Sequence, residues 1–204
     1  QGLWNGTSSL KHLKVGSFQG NPNGNKYFAL TKSIGAKPVE PRTGSRIITE
    51  RQRIKELVPP PVNFPHNKIG KSPSGLFADT SNGKFSPFKN QMFVNDQSKS
   101  MLSRVYMEKI NGVYQGACFF FRKGFGSGNV PAVLGEDGNA FIGGTNRGWG
   151  STGKKVGAIE RLSWNGKVPF EIHEMHIKSK GFEITFTKKA NKASVEAIAS
   201  YKVM

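Results

Sequence analysis

The residues best equipped for chemistry sit in the loop Gly143-Gly144-Thr145-Asn146-Arg147-Gly148-Trp149-Gly150. A guanidinium clasps a carboxylate or phosphate through parallel hydrogen bonds, and an indole offers a flat apolar face to a sugar ring or quinone plane. Asn146, Arg147 and Trp149 on one glycine-rich tip after a buried strand therefore form a candidate binding loop. The alternative is a loop whose Trp only covers a sheet edge.

Other motifs are incomplete. Gly148-Trp149-Gly150-Ser151-Thr152-Gly153-Lys154 has the glycine and lysine spacing of a phosphate loop, but Lys155 stands where Ser or Thr must hold magnesium, and Val156–Ile159 reads as strand, not helix. Lys123-Gly124-Phe125-Gly126 begins an RNA-stacking signature, but Ser127 and Gly128 replace the aromatic and valine that complete it, so nucleic acid is not the expected partner. Asp79, Ser81 and Gly83 open like a calcium loop, which lacks its glycine at the sixth position and has Asn90 where Glu is required. His173 and His176 on a strand point to opposite faces and read as a surface pair. Asn5-Gly6-Thr7 is a glycosylation sequon, relevant only in a eukaryotic secretory pathway. Cys118, the single cysteine, lies beside Phe119-Phe120-Phe121 in the setting of an inert core thiol and excludes an internal disulfide.

The elements that position these residues are β-strands. Twenty-five glycines and eleven prolines among 204 residues, with few consecutive helix formers, describe short strands joined by turns. Leu76-Phe77-Ala78, Met92-Phe93-Val94, an alternating stretch from Met101 to Glu108, Val113–Phe121, Ala140-Phe141-Ile142 and Val156–Trp164 all read as strands. Asn111-Gly112, Asp137-Gly138 and Asn165-Gly166 supply turns. Val113–Phe121 is apolar on both faces and is expected to be covered on both. Residues 36–66 are proline-rich and read as a long connection. They hold one short helix, for which Thr49 and Gln52 suggest a capping box, with Ile47, Ile48, Ile54 and Leu57 on its apolar face.

The formal net charge of +17 is shared by both halves of the chain, a diffuse coat that attracts polyanions without choosing among them. No apolar run approaches the ~20 residues of a spanning helix. The start at Gln1 without an initiator Met, and the strand barely begun at Ser200–Met204, lead us to expect a piece of something longer.

Several runs resemble the later blades of glucose/sorbosone dehydrogenase-like β-propellers: Gly70-Lys71-Ser72-Pro73-Ser74-Gly75-Leu76, Pro87-Phe88-Lys89-Asn90-Gln91-Met92-Phe93-Val94-Asn95-Asp96-Gln97, Gly112–Phe119, Gly124–Gly128, Thr145–Gly150 and Glu160–Glu171. Residues 1–22 are similar to a blade ending of that family, and the tail from Gly181 is similar to an Ig-like module that can follow it. The resemblance implies an all-β partial propeller of about two to three four-stranded antiparallel blades, in agreement with sheet units that recur at roughly propeller-blade spacing. Residues 1–35 would end one blade, 36–66 would be the connection with its short helix, 67–175 two blades, and 176–204 the start of an Ig-like or β-sandwich module, or final strands.

The family's sugar-oxidising members bind pyrroloquinoline quinone and calcium and use a histidine base from the amino-terminal half, to which no residue here corresponds. The resemblance thus implies a secreted or periplasmic piece that supplies rim loops and is not catalytic alone. On that rim Asn146, Arg147 and Trp149 would face cofactor, while Trp4, Asn5, Thr7, His66, Ser72, Ser74, Asp96 and Gln97 would face substrate. The alternative is a non-catalytic extracellular binding or structural module for glycans or partner proteins. Two or three blades cannot close a ring, so the expected partner is the missing half as another chain, or a second copy.

Overall fold

A computed structural model of the chain describes residues 7–20, 22–30, 35–37 and 39–201. The expectations placed on Trp4 and Asn5 lie outside the described residues. Strand β1 (Ser9–Leu10) pairs with β2 (Val62–Asn63), and between them run a 3-10 segment (Pro22–Leu30) and helix α1 (Ile47–Arg53). Strands β3 (Pro73–Ala78), β4 (Met92–Asp96), β5 (Met101–Ile110) and β6 (Val113–Lys123) form a four-stranded meander in chain order. A second meander holds β7 (Asn129–Leu134), β8 (Ala140–Thr145) and β9 (Gly157–Leu162), and β10 (Ile172–Lys178) pairs with β11 (Gly181–Phe186) ahead of the short helix α2 (Lys192–Glu196). All these pairings are antiparallel. The fold is all-β, and among the described residues no barrel or propeller ring closes.

Local chemistry sets the turns. Asn111 and Gly112 both take positive φ (48° and 81°), as a type I′ hairpin demands, and join the two longest strands. Strand β7 escapes detection in the sequence because Pro131 interrupts it. That proline sits where the pairing of β7 with β8 slips between Asn129 and Ala132, so its missing N–H costs no ladder bond. In α1 the expected capping box is absent: Arg46 is the N-cap without a side-chain bond, and Thr49 lies inside the helix. Ile54 and Leu57 are buried as expected, while Ile48 is exposed.

The sheets stack in layers. One face of the four-stranded sheet carries Met92, Val94, Val105, Met107 and Cys118 against Leu10, Val62 and Phe64 of the first layer. The opposite face carries Phe77, Phe93 and Leu102 against Ala140 and Ile142 of the third, with Phe85, Phe88 and Phe125 closing the core from loops. Here the backbones of β3 and β7 touch: a Cβ at Gly75 would lie 2.3 Å from the Val130 carbonyl oxygen, so only glycine fits. Buried Asn95 and Asn129 suture the same seam. The Asn95 amide donates to the Pro131 carbonyl (3.1 Å), and the Asn129 amide to the Met101 carbonyl (3.2 Å).

Strand β6 is the edge of its sheet and only half-buried, with Phe120 exposed, so the expected cover on both faces is incomplete there. Cys118 is nonetheless an unreactive thiol, pushed by burial up to about 11.

The β10–β11 hairpin lies against β5. Arg104 of β5 is fully buried; its guanidinium donates to Gln91 Oε1 and to the carbonyls of Ile172 and His173, and lies 3.8 Å from the Phe88 ring centre and 4.4 Å from that of Phe119. The hairpin spans the boundary expected at residues 175/176, because β10 begins at Ile172.

Candidate functional site

The loops β4–β5, β6–β7 and β8–β9 meet at one edge of the two meanders and form a rim. Asp96 ends β4, only 2% exposed. Its Oδ2 accepts the backbone N–H groups of Lys71 (2.6 Å) and Ser72 (2.7 Å), and its Oδ1 that of Lys99 (2.8 Å). The carboxylate therefore ties the strand leading into β3 to the β4–β5 turn. Ser72 Oγ lies 2.9 Å from Ser98 Oγ in the same knot. Gln97 reaches across to the other loop, its amide donating to the Trp149 carbonyl (3.1 Å).

The loop 146–155 is docked onto this turn. Thr152 N donates to the Ser98 carbonyl (3.0 Å), Gly153 N to Ser100 Oγ (2.8 Å), and the Ser100 hydroxyl bonds that of Ser151 (3.0 Å). The Asn146 amide donates to the Gly153 carbonyl (2.6 Å) and the Lys155 carbonyl (2.9 Å), closing its own loop. A Cβ on Gly153 would meet the Phe125 carbonyl at 2.5 Å, so the glycines of both loops serve close backbone contact. That explains the two partial phosphate and RNA motifs. Phe125 belongs to the core, not to a stacking platform. The calcium-like turn is likewise self-contained, with Asp79 accepting bonds from Ser81 and Ser86.

Two rim residues stay open to a ligand. Trp149 is 78% exposed, and the Arg147 side chain is exposed with no hydrogen-bond or ion-pair partner among the described residues. The structure thus brings Ser72, Asp96, Gln97, Asn146, Arg147 and Trp149 together, but only Arg147 and Trp149 face solvent unused. Ser74 lies deeper, its hydroxyl donating to the Asn129 carbonyl (2.8 Å) at the β3–β7 seam. Thr7 belongs to the first layer, where it donates to the Phe64 carbonyl (2.6 Å), and His66 is exposed in the turn after Phe64. Ser98, Ser100, Ser151 and Thr152 hold the rim together and escaped the sequence reading. Their signal is a run of small hydroxyl residues at both loop tips.

A second titratable cluster lies where the hairpin meets β5. His176 Nε2 is 2.9 Å from Glu174 Oε2, and its Nδ1 is 3.3 Å from Glu108 Oε2 and 2.9 Å from the Tyr106 hydroxyl. His173 stacks on Phe88 instead. The two histidines are therefore half-buried pieces of the hairpin's docking face, not the surface pair expected.

The bond from Glu174 foremost, then the bond from Glu108 and the charges of both, hold the imidazole above its ordinary 6.5, against the opposing effect of burial. Glu108 is held low, first by the Ile177 N–H and then by Gln115 and His176. Burial, then the charges of Glu174 and Glu108, push Tyr106 up. From β11, Glu183 stands opposite His176 in register but pairs with Lys178.

A raised imidazole contributes stability that is complete below 6.5 and lost as pH rises through its folded-state value. A lowered Glu108 contributes above 4.5 and is lost as pH falls through its own. We expect hairpin docking to be firmest between those limits and to weaken on the alkaline side by about 1 kcal/mol or less, since the groups are partly solvated. Urea midpoints from pH 5 to 9 check this. His176→Asn flattens the alkaline slope, and a slope unchanged by that substitution refutes the assignment.

Compared with known proteins, the chain matches no family model, no curated protein and no solved structure.

Proposed function

We propose that this chain acts by binding: it supplies rim loops to a larger propeller-like assembly and holds a glycan at Trp149 and Arg147. The observation that supports this reading is the division of labour on the rim. The side chains of Asp96, Ser72, Gln97 and Asn146 are engaged in building it, while an indole and a guanidinium project from a loop that those bonds hold still. An aromatic face and a fork of N–H donors suit a sugar ring with an anionic substituent. The contacts available at this pair are those of recognition: stacking and hydrogen bonding. A secreted or periplasmic protein is the setting in which such a ligand would be met.

The same pair suits a planar quinone bearing carboxylates, which is what the dehydrogenase-like resemblance would ask of this half of a propeller. Arg147 would clasp one carboxylate and Trp149 would flank the ring. Calcium does not fit: the Asp96 oxygens are taken by three N–H groups, and among the described residues no three His, Cys, Asp or Glu side chains gather as a metal site. We therefore assign no oxidation step to this chain.

The test is a glycan array followed by calorimetry on the retained ligand. Trp149→Ala and Arg147→Ala should each weaken binding at least about tenfold without moving the melting temperature. Binding that survives both substitutions refutes the rim reading.

The partner reading rests on the outer face of the third sheet, where Val133 (60% exposed), Phe141 and Ile159 (85% exposed) lie together across the β7–β9 ladder. The inner sheet faces are each covered by a neighbouring layer; this one is wet. We expect a further sheet, from the missing half or a second copy, to cover it. Sedimentation showing a monomer that Ile159→Lys leaves unchanged, and that no candidate half-propeller binds, refutes this expectation.

A further inference from the structure

Where the β8–β9 ladder ends at Ala140 and Leu162, a cleft of about 380 Å³ opens between the β3–β4 loop, the end of β6 and the chain from Leu162 to Glu171. Its apolar wall is aromatic: Phe88, Phe121 and Trp164. The Trp164 indole is held in place by the turn that follows it, donating to the Lys167 carbonyl (3.1 Å) while Lys167 N donates to Asn165 Oδ1 (3.0 Å). Three charged side chains also line the cleft, namely Arg122, Lys167 and Glu171. None of the three is hydrogen-bonded or ion-paired through its charged group among the described residues.

The charge of Glu171 also acts on buried Arg104. Two cations against one carboxylate give the cleft a net positive charge, which selects an anion. The volume suits one or two pyranose rings. The Asn165 amide N–H groups and the Glu171 oxygens are free for hydroxyls. From this combination of fixed indole, unpaired cations and unpaired polar atoms, we propose that the cleft binds a uronic-acid residue of an acidic polysaccharide. The ring lies along Trp164, the carboxylate meets Arg122 and Lys167, and ring hydroxyls meet Asn165 and Glu171. The site shares no residue with the rim and stands whether or not the rim binds a glycan.

The experiment is a ¹⁵N-resolved titration of the full chain with trigalacturonate and with neutral maltotriose, following the Trp164 indole and Asn165 amide signals. Saturable shifts are expected with trigalacturonate only, and Arg122→Gln or Lys167→Gln should weaken it about tenfold each. Both side chains are exposed, so the spectrum itself reports whether the fold is retained. Because the chain carries +17, the control is Lys188→Gln/Lys189→Gln, which removes the same charge as the double cleft variant Arg122→Gln/Lys167→Gln. An equal loss in control and double cleft variant, equal shifts with maltotriose, or no shift at Trp164 overturns the proposal. Loss on Trp149→Ala alone assigns the ligand to the rim and also overturns it.

Discussion

Replacing Arg104 with methionine will lower the unfolding free energy by about 3–5 kcal/mol, a drop of roughly 10 °C in melting temperature for a chain of this size. The side chain is 0% exposed, and it serves three acceptors that remain behind when it goes: Gln91 Oε1 and the carbonyls of Ile172 and His173. A buried charge is expensive, and burial pushes this guanidinium down to about 10, with Glu171 opposing the shift. It is still protonated at neutral pH. Swapping a buried ion pair for hydrocarbon is often harmless, but only when both partners leave together. Here two of the partners are main-chain carbonyls that no substitution removes, so methionine fills the volume and orphans them.

Lysine separates charge from shape. It keeps the cation but cannot reach three acceptors at once or lie flat beside Phe88 and Phe119. Arg104→Lys should therefore lose about half as much. The damage should also be local first: hydrogen exchange in β10 and β11 should accelerate in either variant before exchange in β4 and β5. Equal urea midpoints for wild type and Arg104→Met would show that the hairpin is held by something else.

What the sequence discloses follows the range of the interactions involved. Asn111-Gly112 marks its hairpin because two positive φ values in a row are a local demand that few residue pairs meet. The alternation from Met101 to Glu108 reads as a strand for the same reason: each residue reports its own face. Arg104 gives no such signal. It sits on a core-facing position with the look of a solvent-facing residue, and its acceptors Ile172 and His173 lie 68 and 69 residues away.

The rim was legible in its exposed part only. Arg147 and Trp149 stand out by type, and both are exposed. Asp96 looks equally like a ligand-binding carboxylate, and only the arrival of Lys71 and Ser72 from 25 and 24 residues upstream shows that its oxygens are taken. Strand β7 was hidden because Pro131 is read as a breaker until the slip in register that accommodates it is known.

Asp96 then carries the second large effect. Asp96→Ala leaves the N–H groups of Lys71, Ser72 and Lys99 without their acceptor, and each unsatisfied donor costs about 1–3 kcal/mol when buried. Lys71 is exposed and water reaches part of the gap, so the total should fall near 3 kcal/mol and not at the sum of three full penalties. Asp96→Asn is the sharper variant. It keeps the volume and one oxygen but turns an N–H₂ toward backbone donors, so it should lose about 2 kcal/mol where an inert space-filler would lose none.

The loss should reach the rim as well. The β4–β5 turn that Asp96 pins holds the loop of Trp149 through Gln97, Ser98 and Ser100. Glycan binding should therefore weaken in Asp96→Asn although Asp96 does not face the ligand, and the weakening should come with a larger entropic cost of binding as a loosened loop is reordered. Ser72→Ala removes one hydroxyl contact and none of the three N–H bonds, and it should leave both quantities nearly unchanged. If Asp96→Asn unfolds at the wild-type urea concentration yet abolishes binding, Asp96 touches the ligand directly and its place as a structural pin is wrong.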